Sequence, residues 1–188
     1  KTVHARTLDK ALNASGVVQL QVNVDKIAPP VPSLTKSPAG AWHRDDVTVT
    51  IRQGEDTGGS GGVLTEYSLD GRSWSAYTGA LTLDETGTVY ARATDAAGNI
   101  SASGSIEVKI DREAPAAPRL QKSPDTEWHH DDVSVTVTDG SDRGGSEVAR
   151  SEYSFDNKSW LTVSGPVTAD TSCTVYARTL DNAGNISE

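Results

Sequence analysis

A repeat of 86 residues runs through the chain and limits the folds it can adopt more than any other feature. Four aromatic positions mark it, as the pairs Trp42 and Trp128, Tyr67 and Tyr153, Trp74 and Trp160, and Tyr90 and Tyr176. Between 27–102 and 113–188, 39 of the 76 compared positions are identical, and no gap is needed. Such self-similarity is typical of tandem arrays of one structural unit.

The repeat divides the chain near residues 26 and 112. It predicts three parts, namely the C-terminal strands of a preceding repeat in 1–26, a complete repeat in 27–112, and a repeat lacking its last strand in 113–188. We expect the chain to be a window on a longer array, because it does not begin with Met and carries neither a leader nor a membrane span. The alternative is strand donation, in which Val17–Val24 of one molecule completes the third repeat of another.

The residue pattern within a repeat has the period of β-strands. Val47, Val49 and Ile51 alternate with polar residues, as a half-buried strand requires, and no helical period is sustained anywhere. About seven short strands fit into each repeat. This predicts an all-β chain of tandem two-sheet sandwiches, since 86 residues barely close an eight-stranded barrel and exceed one propeller blade of about 40–50 residues.

A turn is predicted between two of these strands. Asp70-Gly71 stands at its centre and is typical of a tight hairpin turn. The second copy has Asp156-Asn157, and Asn is the usual substitute for Gly where φ must be positive.

The segment Thr88–Ser101 resembles the penultimate strand and following loop of bacterial Ig-like and fibronectin type III domains. The segment 66–71 followed by Trp74 resembles the bacterial Ig-like repeats found in arrays on surface proteins and beside secreted polysaccharide-degrading enzymes. The resemblance implies an immunoglobulin-like sandwich, an extracellular or cell-surface location, and a role as spacer, stalk or adhesin-like segment.

Composition and charge exclude several function classes. The formal net charge is −9 and no basic cluster is present, which argues against nucleic acid and membrane insertion. Cys173 is the only cysteine, so no disulfide can form within the chain. No catalytic motif is present, and the sequence predicts a non-catalytic protein.

Short linkers join successive repeats. Only about four residues separate the last strand of one repeat from the first strand of the next, and Pro29 and Pro115 stiffen them. We therefore expect neighbouring repeats of the same chain to be the main partners, stacked end to end in a rod.

Carboxylates at these junctions predict a candidate calcium site. The candidate ligands are Asp25, Asp95, Asp111 and Glu113. Ca²⁺ takes several oxygen ligands, which carboxylates converging at a junction could supply. The alternative is that these are solvated turn carboxylates that hold backbone N–H groups. No other cofactor is predicted.

The tryptophans carry the second candidate site. Trp42, Trp74, Trp128 and Trp160 could stack on sugar rings, which would make the chain a carbohydrate-binding accessory module of a polysaccharide-active enzyme. Cell-wall or host glycans would then be its partners. The alternative is that each covers one end of a small core. The regular spacing and the replacement of Tyr77 by Val163 favour that alternative.

Overall fold

The computed structural model describes residues 1–57 and 59–188. They divide into two compact units, the first made of Lys1–Leu34, Ile51–Thr78 and Tyr90–Ser105 and the second of Thr35–Thr50, Gly79–Val89 and Ile106–Glu188. All regular secondary structure in the described residues is strand. No helix in this part of the chain could cross a membrane.

The first 26 residues form a two-stranded antiparallel hairpin. Strand β1 (Thr2–Ala5) pairs with β2 (Val18–Gln21), and Val3 lies opposite Leu20. Both strands are exposed along their whole length.

The described residues between 27 and 112 contain seven strands: β3 (Ser33–Ser37), β4 (Val47–Arg52), β5 (Leu64–Ser68), β6 (Ser75–Ala76), β7 (Leu81–Leu83), β8 (Gly87–Thr94) and β9 (Gly104–Val108). They form one sheet with the order β3-β4-β7 and another with the order β6-β5-β8-β9. Two sheets with this connectivity, rather than one closed barrel, are the pattern of an immunoglobulin-like sandwich.

Six strands follow between residues 113 and 188: β10 (Arg119–Ser123), β11 (Val133–Thr138), β12 (Val148–Ser154), β13 (Leu161–Thr162), β14 (Val167–Ala169) and β15 (Tyr176–Asp181). Their sheets have the orders β10-β11-β14 and β13-β12-β15, which repeat the arrangement 86 residues earlier.

The core consists of small aliphatic side chains on alternate strand positions. Val47 and Val49 of β4 are fully buried, as are Val89, Ala91 and Ala93 of β8. The apolar residues that alternate with polar ones in the sequence are therefore the residues whose side chains are buried. The prediction of an all-β chain of tandem immunoglobulin-like sandwiches, with about seven strands in a repeat, is confirmed. The domain boundaries stay a prediction.

The turn between β5 and β6 is wider than the sequence suggested. Residues 69–74 join the two strands, and Gly71 has a φ of 70°. The Asp70 carboxylate accepts hydrogen bonds from Arg72 N at 2.8 Å and Ser73 N at 2.7 Å, which holds the loop open. In the second copy Asn157 has a φ of 56°, so the prediction of a positive φ there is confirmed.

Candidate functional site

A loop closed by an aspartate follows β8. The Asp95 carboxylate accepts hydrogen bonds from Ala97 N, Asn99 N and Asn99 Nδ2 at 2.8–2.9 Å, and the side chain is buried. Asp181 closes the corresponding loop after β15, and Asp9 closes one after β1. One residue pattern, Asp followed by Asn four positions later, thus gives three copies of this loop.

The linker aspartate of each repeat lies beside this loop. Asn99 Nδ2 donates to the backbone carbonyl of Asp25 at 3.3 Å, and Asn185 Nδ2 donates to that of Asp111 at 2.9 Å. The Asp25 carboxylate accepts from Ile27 N at 3.0 Å and from Ser60 N at 2.9 Å. The linker is therefore fastened to loops of the repeat that follows it.

A third aspartate completes each group. Asp56 joins Asp25 and Asp95, and one carboxylate oxygen from each lies within 4.8 Å of those of the other two. Asp142 joins Asp111 and Asp181 with the same limit on the distances. We name these groups the first and second aspartate clusters. Each cluster lies within one of the two compact units, and corresponding members are 86 residues apart.

The second aspartate cluster is the more deeply placed of the two. Asp111 and Asp181 are each 3% exposed, and Asp142 is half-buried. The Asp111 carboxylate accepts from Glu113 N at 3.0 Å and Ser146 N at 2.9 Å, and Asp142 accepts from Gly144 N at 3.1 Å. No ion pair among residues 1–57 and 59–188 includes Asp111, Asp142 or Asp181.

Local hydrogen bonds favour the ionised forms of Asp25, Asp95 and Asp111. Burial opposes ionisation of Asp111, but the groups of Ser146 and the N–H of Glu113 outweigh it and lower the Asp111 pKa. Asp95 follows the same logic, since Asn99 and Ala97 overcome the effect of burial and lower its pKa. The N–H of Ile27 is the main cause of the lowered pKa of Asp25. These groups therefore concentrate negative charge at neutral pH.

Two of the tryptophans lie under arginine side chains. The guanidinium carbon of Arg92 lies 4.2 Å from the ring centroid of Trp74, and that of Arg178 lies 4.0 Å from that of Trp160. The same arginines pair with glutamates, Arg92 with Glu66 at 2.8 Å and Arg178 with Glu152 at 2.7 Å. In each copy, the guanidinium of an arginine from the same repeat thus covers one face of the tryptophan ring.

The other two tryptophans have different surroundings. Trp42 is half-buried and lies 5.5 Å from Lys109 Nζ, in a groove of about 630 Å³ that Ser146 and Asn182 also line. Trp128 is 83% exposed, beside a groove of about 520 Å³ that contains His129 and His130. The four residues are equivalent in the sequence repeat, but they differ in how much ring surface a ligand could reach.

Comparison with known proteins finds similarity among solved structures but not among protein families or curated sequences. No protein family matches the sequence, and no curated protein is significantly similar to it. Among solved structures, the chain is similar to the fibronectin(III)-like modules of Clostridium thermocellum CbhA, with 11% sequence identity and a TM-score of 0.42. The alignment covers 83% of this chain and 90% of the other.

The predicted calcium ligands separate into two places. Asp25 and Asp95 lie together in the first aspartate cluster, and Asp111 lies in the second. Glu113 is exposed and contributes its backbone N–H to Asp111. Calcium binding itself stays a prediction, as does glycan binding by the tryptophans.

Asp56 and Asp142 belong to the clusters but were not among the ligands that the sequence predicts. Asp56 lies in a Gly-rich segment whose residues predict no more than a turn, and Gly58 of that segment lies outside the described residues. A signal was present, because Asp56 and Ser60 recur as Asp142 and Ser146 and four of the five residues in 56–60 are identical in 142–146. Two polar side chains that are retained in both copies of a glycine-rich loop favour a shared contact.

Proposed function

We propose that the chain is a non-catalytic spacer, part of an exported bacterial surface or secreted multidomain protein. The observation that carries this proposal is the fastening of each linker to the repeat that follows it. In both copies an Asn side chain after the penultimate strand of the repeat holds the carbonyl of the linker aspartate. A segment held in this way resists bending, which is the property a spacer needs.

Close packing after each linker aspartate supports the same proposal. A Cβ at Gly54 would collide with the Pro30 ring, and a Cβ at Gly140 would collide with the backbone of Ala116. Pro29 and Pro115, the residues just before, are both buried. The linker thus continues into residues that lie tightly against the body of the repeat, and little free chain is left to act as a hinge.

Small-angle X-ray scattering of the chain tests the spacer. A compact protein of 188 residues has a radius of gyration of about 16 Å. We expect a value at least a third larger. A value near that of the compact protein would contradict the proposal.

A pair of variants tests the role of the linker contact. Asn99→Ala combined with Asn185→Ala removes both hydrogen bonds to the linker carbonyls. Because the linkers are then held less firmly, we expect the same scattering experiment to give a broader distribution of interatomic distances. Asn13→Ala is the matched control, because Asn13 makes the same loop with Asp9 and donates to no linker. If the control broadens the distribution as much as the double variant does, the linker contact is not the cause of the stiffness.

Glycan binding is the second candidate function, and the exposure of Trp128 favours it. An aromatic ring that is 83% exposed beside a polar groove is a surface on which a sugar could stack. Affinity electrophoresis in gels containing cell-wall polysaccharides tests this candidate. We expect Trp128→Ala to abolish any retardation and Trp160→Ala, under its arginine, to preserve it. Loss of retardation in both variants would point to unfolding.

A further inference from the structure

The two aspartate clusters repeat one arrangement at four positions. Asp25, Asp56, Ser60 and Asp95 in the first correspond to Asp111, Asp142, Ser146 and Asp181 in the second, each 86 residues later. We propose that each cluster binds one Ca²⁺ ion, so that the chain carries two calcium sites. This inference does not depend on the spacer function.

The spacing of the carboxylates suits a single ion of this size. Ca²⁺ binds oxygen ligands at about 2.3–2.6 Å, so two ligands on opposite sides of one ion lie about 4.6–5.2 Å apart. In both clusters the three carboxylate oxygens lie within 4.8 Å of one another. One ion can therefore contact all three aspartates without a change in the backbone.

A buried hydroxyl points independently to a binding site at the second cluster. Ser146 is 2% exposed, and its Oγ makes no hydrogen bond to any described group. The N–H of the same residue donates to the Asp111 carboxylate at 2.9 Å, so Ser146 lies directly beside the cluster. Ser60 Oγ, its counterpart, is likewise buried without a hydrogen-bond partner. A buried polar atom needs a partner, and an ion held by the adjacent carboxylates would supply one.

The chemistry of the groups selects a hard cation. All side-chain donors are oxygens, with neither a thiolate nor an imidazole among the three aspartates and the serine of each cluster. Such a set suits Ca²⁺ or Mg²⁺ and disfavours zinc or copper. Ca²⁺ fits better, because Mg²⁺ demands oxygens at about 2.0–2.1 Å and retains several waters.

The charge of the second cluster also calls for a cation. Within residues 1–57 and 59–188, the hydrogen bonds that its three carboxylates accept come from neutral N–H groups. A carboxylate has about four lone-pair positions, so these bonds leave room for a metal ion on each aspartate. A divalent cation would offset most of the charge of −3 that the ionised cluster carries.

Isothermal titration of the chain with CaCl₂ is the direct test. We expect two sites, with dissociation constants of about 10⁻⁴–10⁻³ M, as in extracellular calcium modules. Asp142→Asn should leave one site, and combining it with Asp56→Asn should leave none. Asp9→Asn is the matched control, because Asp9 makes the same loop as Asp95 and Asp181 but belongs to neither cluster. It should retain two sites.

Terbium luminescence gives a second measurement that does not depend on variants of the clusters. Trp42 and Ser146 line the same groove, so Tb³⁺ in the second cluster should emit on tryptophan excitation. Ca²⁺ should displace it, and Trp42→Phe should weaken the emission without changing the calcium stoichiometry.

Thermal unfolding completes the test. Calcium at 100 times the dissociation constant should raise the folding equilibrium constant of each repeat about 100-fold relative to the same chain in the presence of a chelator. No saturable heat and no change in unfolding temperature in the unmodified chain would overturn the proposal. An equal response to MgCl₂ would overturn the assignment to Ca²⁺, and a loss of sites in Asp9→Asn would overturn the assignment to the clusters.

Discussion

Replacing Val89 by alanine should destabilise the protein far more than the same replacement at Val3. Both residues follow a threonine and lie two positions before an Ala-Arg pair. Val89 is on strand β8 and Val3 is on strand β1. Val89 is 0% exposed and Val3 is 57% exposed. The pair therefore shares local sequence and strand propensity and differs in burial.

The magnitude follows from the burial of Val89. Val→Ala removes two methylene-sized groups, which costs about 1.6 kcal/mol in transfer free energy at about 0.8 kcal/mol per group. The cavity left in a close-packed core adds about 1 kcal/mol. We expect the free energy of unfolding to fall by about 2–3 kcal/mol for Val89→Ala and by less than about 0.5 kcal/mol for Val3→Ala.

Hydrogen exchange followed by mass spectrometry is the assay of choice, because a chain of several repeats need not unfold in one transition. Peptides that cover β8 report its local opening separately. A loss of 2–3 kcal/mol corresponds to exchange that is about 30–150-fold faster at 1.36 kcal/mol per tenfold change. Acceleration below about fivefold in Val89→Ala, or equal acceleration of β1 in Val3→Ala, would refute the reasoning.

Three further changes have defined outcomes. Gly140→Ala should lower the free energy of unfolding by about 1–3 kcal/mol, because its Cβ would strike the Ala116 carbonyl, whereas Gly165→Ala meets nothing within 4 Å and should match the parent in thermal unfolding. Burial opposes ionisation of Glu152, but Arg178 and Arg150 outweigh it and lower the Glu152 pKa in the folded protein. The ionised carboxylate therefore stabilises the fold at pH values above the pKa that Glu152 has in the unfolded chain. This stabilisation is lost as the pH falls through the lower pKa of the folded protein. Glu152→Gln should accordingly flatten the acid limb of a stability–pH profile, and an unchanged limb would contradict this assignment. Asp156→Ala should speed amide exchange at Lys158 and Ser159, whose N–H groups it accepts, and unchanged exchange would show that the turn does not need the carboxylate.

The strands could be predicted because their signal is local. The alternation of Val47, Val49 and Ile51 with polar residues reflects the geometry of one strand, and the buried side chains are the predicted ones. The positive φ at Asn157 was also predictable, since it depends on the residue itself and on its repeat partner Gly71. The width of the hairpin loop was not, because it follows from how the Asp70 side chain binds N–H groups two and three residues later.

The clusters were only half predictable, because they join residues far apart in the sequence. The linker aspartates and the loop aspartates stand out by their place at the ends of strands. Asp56 and Asp142 lie in an irregular segment with no period, so only the folded backbone shows that they meet the others. The same limit applies to the ion pair of Arg92 with Glu66, since the residues that face each other across two strands depend on register rather than on sequence distance.

The fastening of each linker to the following repeat has a consequence for how such a chain can grow and shrink. The carboxylates of Asp25 and Asp111 meet aspartates of the sequence that comes after them. A repeat that carries its own complete cluster therefore begins before the linker aspartate, near Val24 or Ile110, and not at the first strand. Recombination between repeats at equivalent points would preserve every cluster, because each inserted module brings its own three aspartates. A repeat that is excised alone from residue 27 onward would lack its linker aspartate and keep only two of the three aspartates of its cluster.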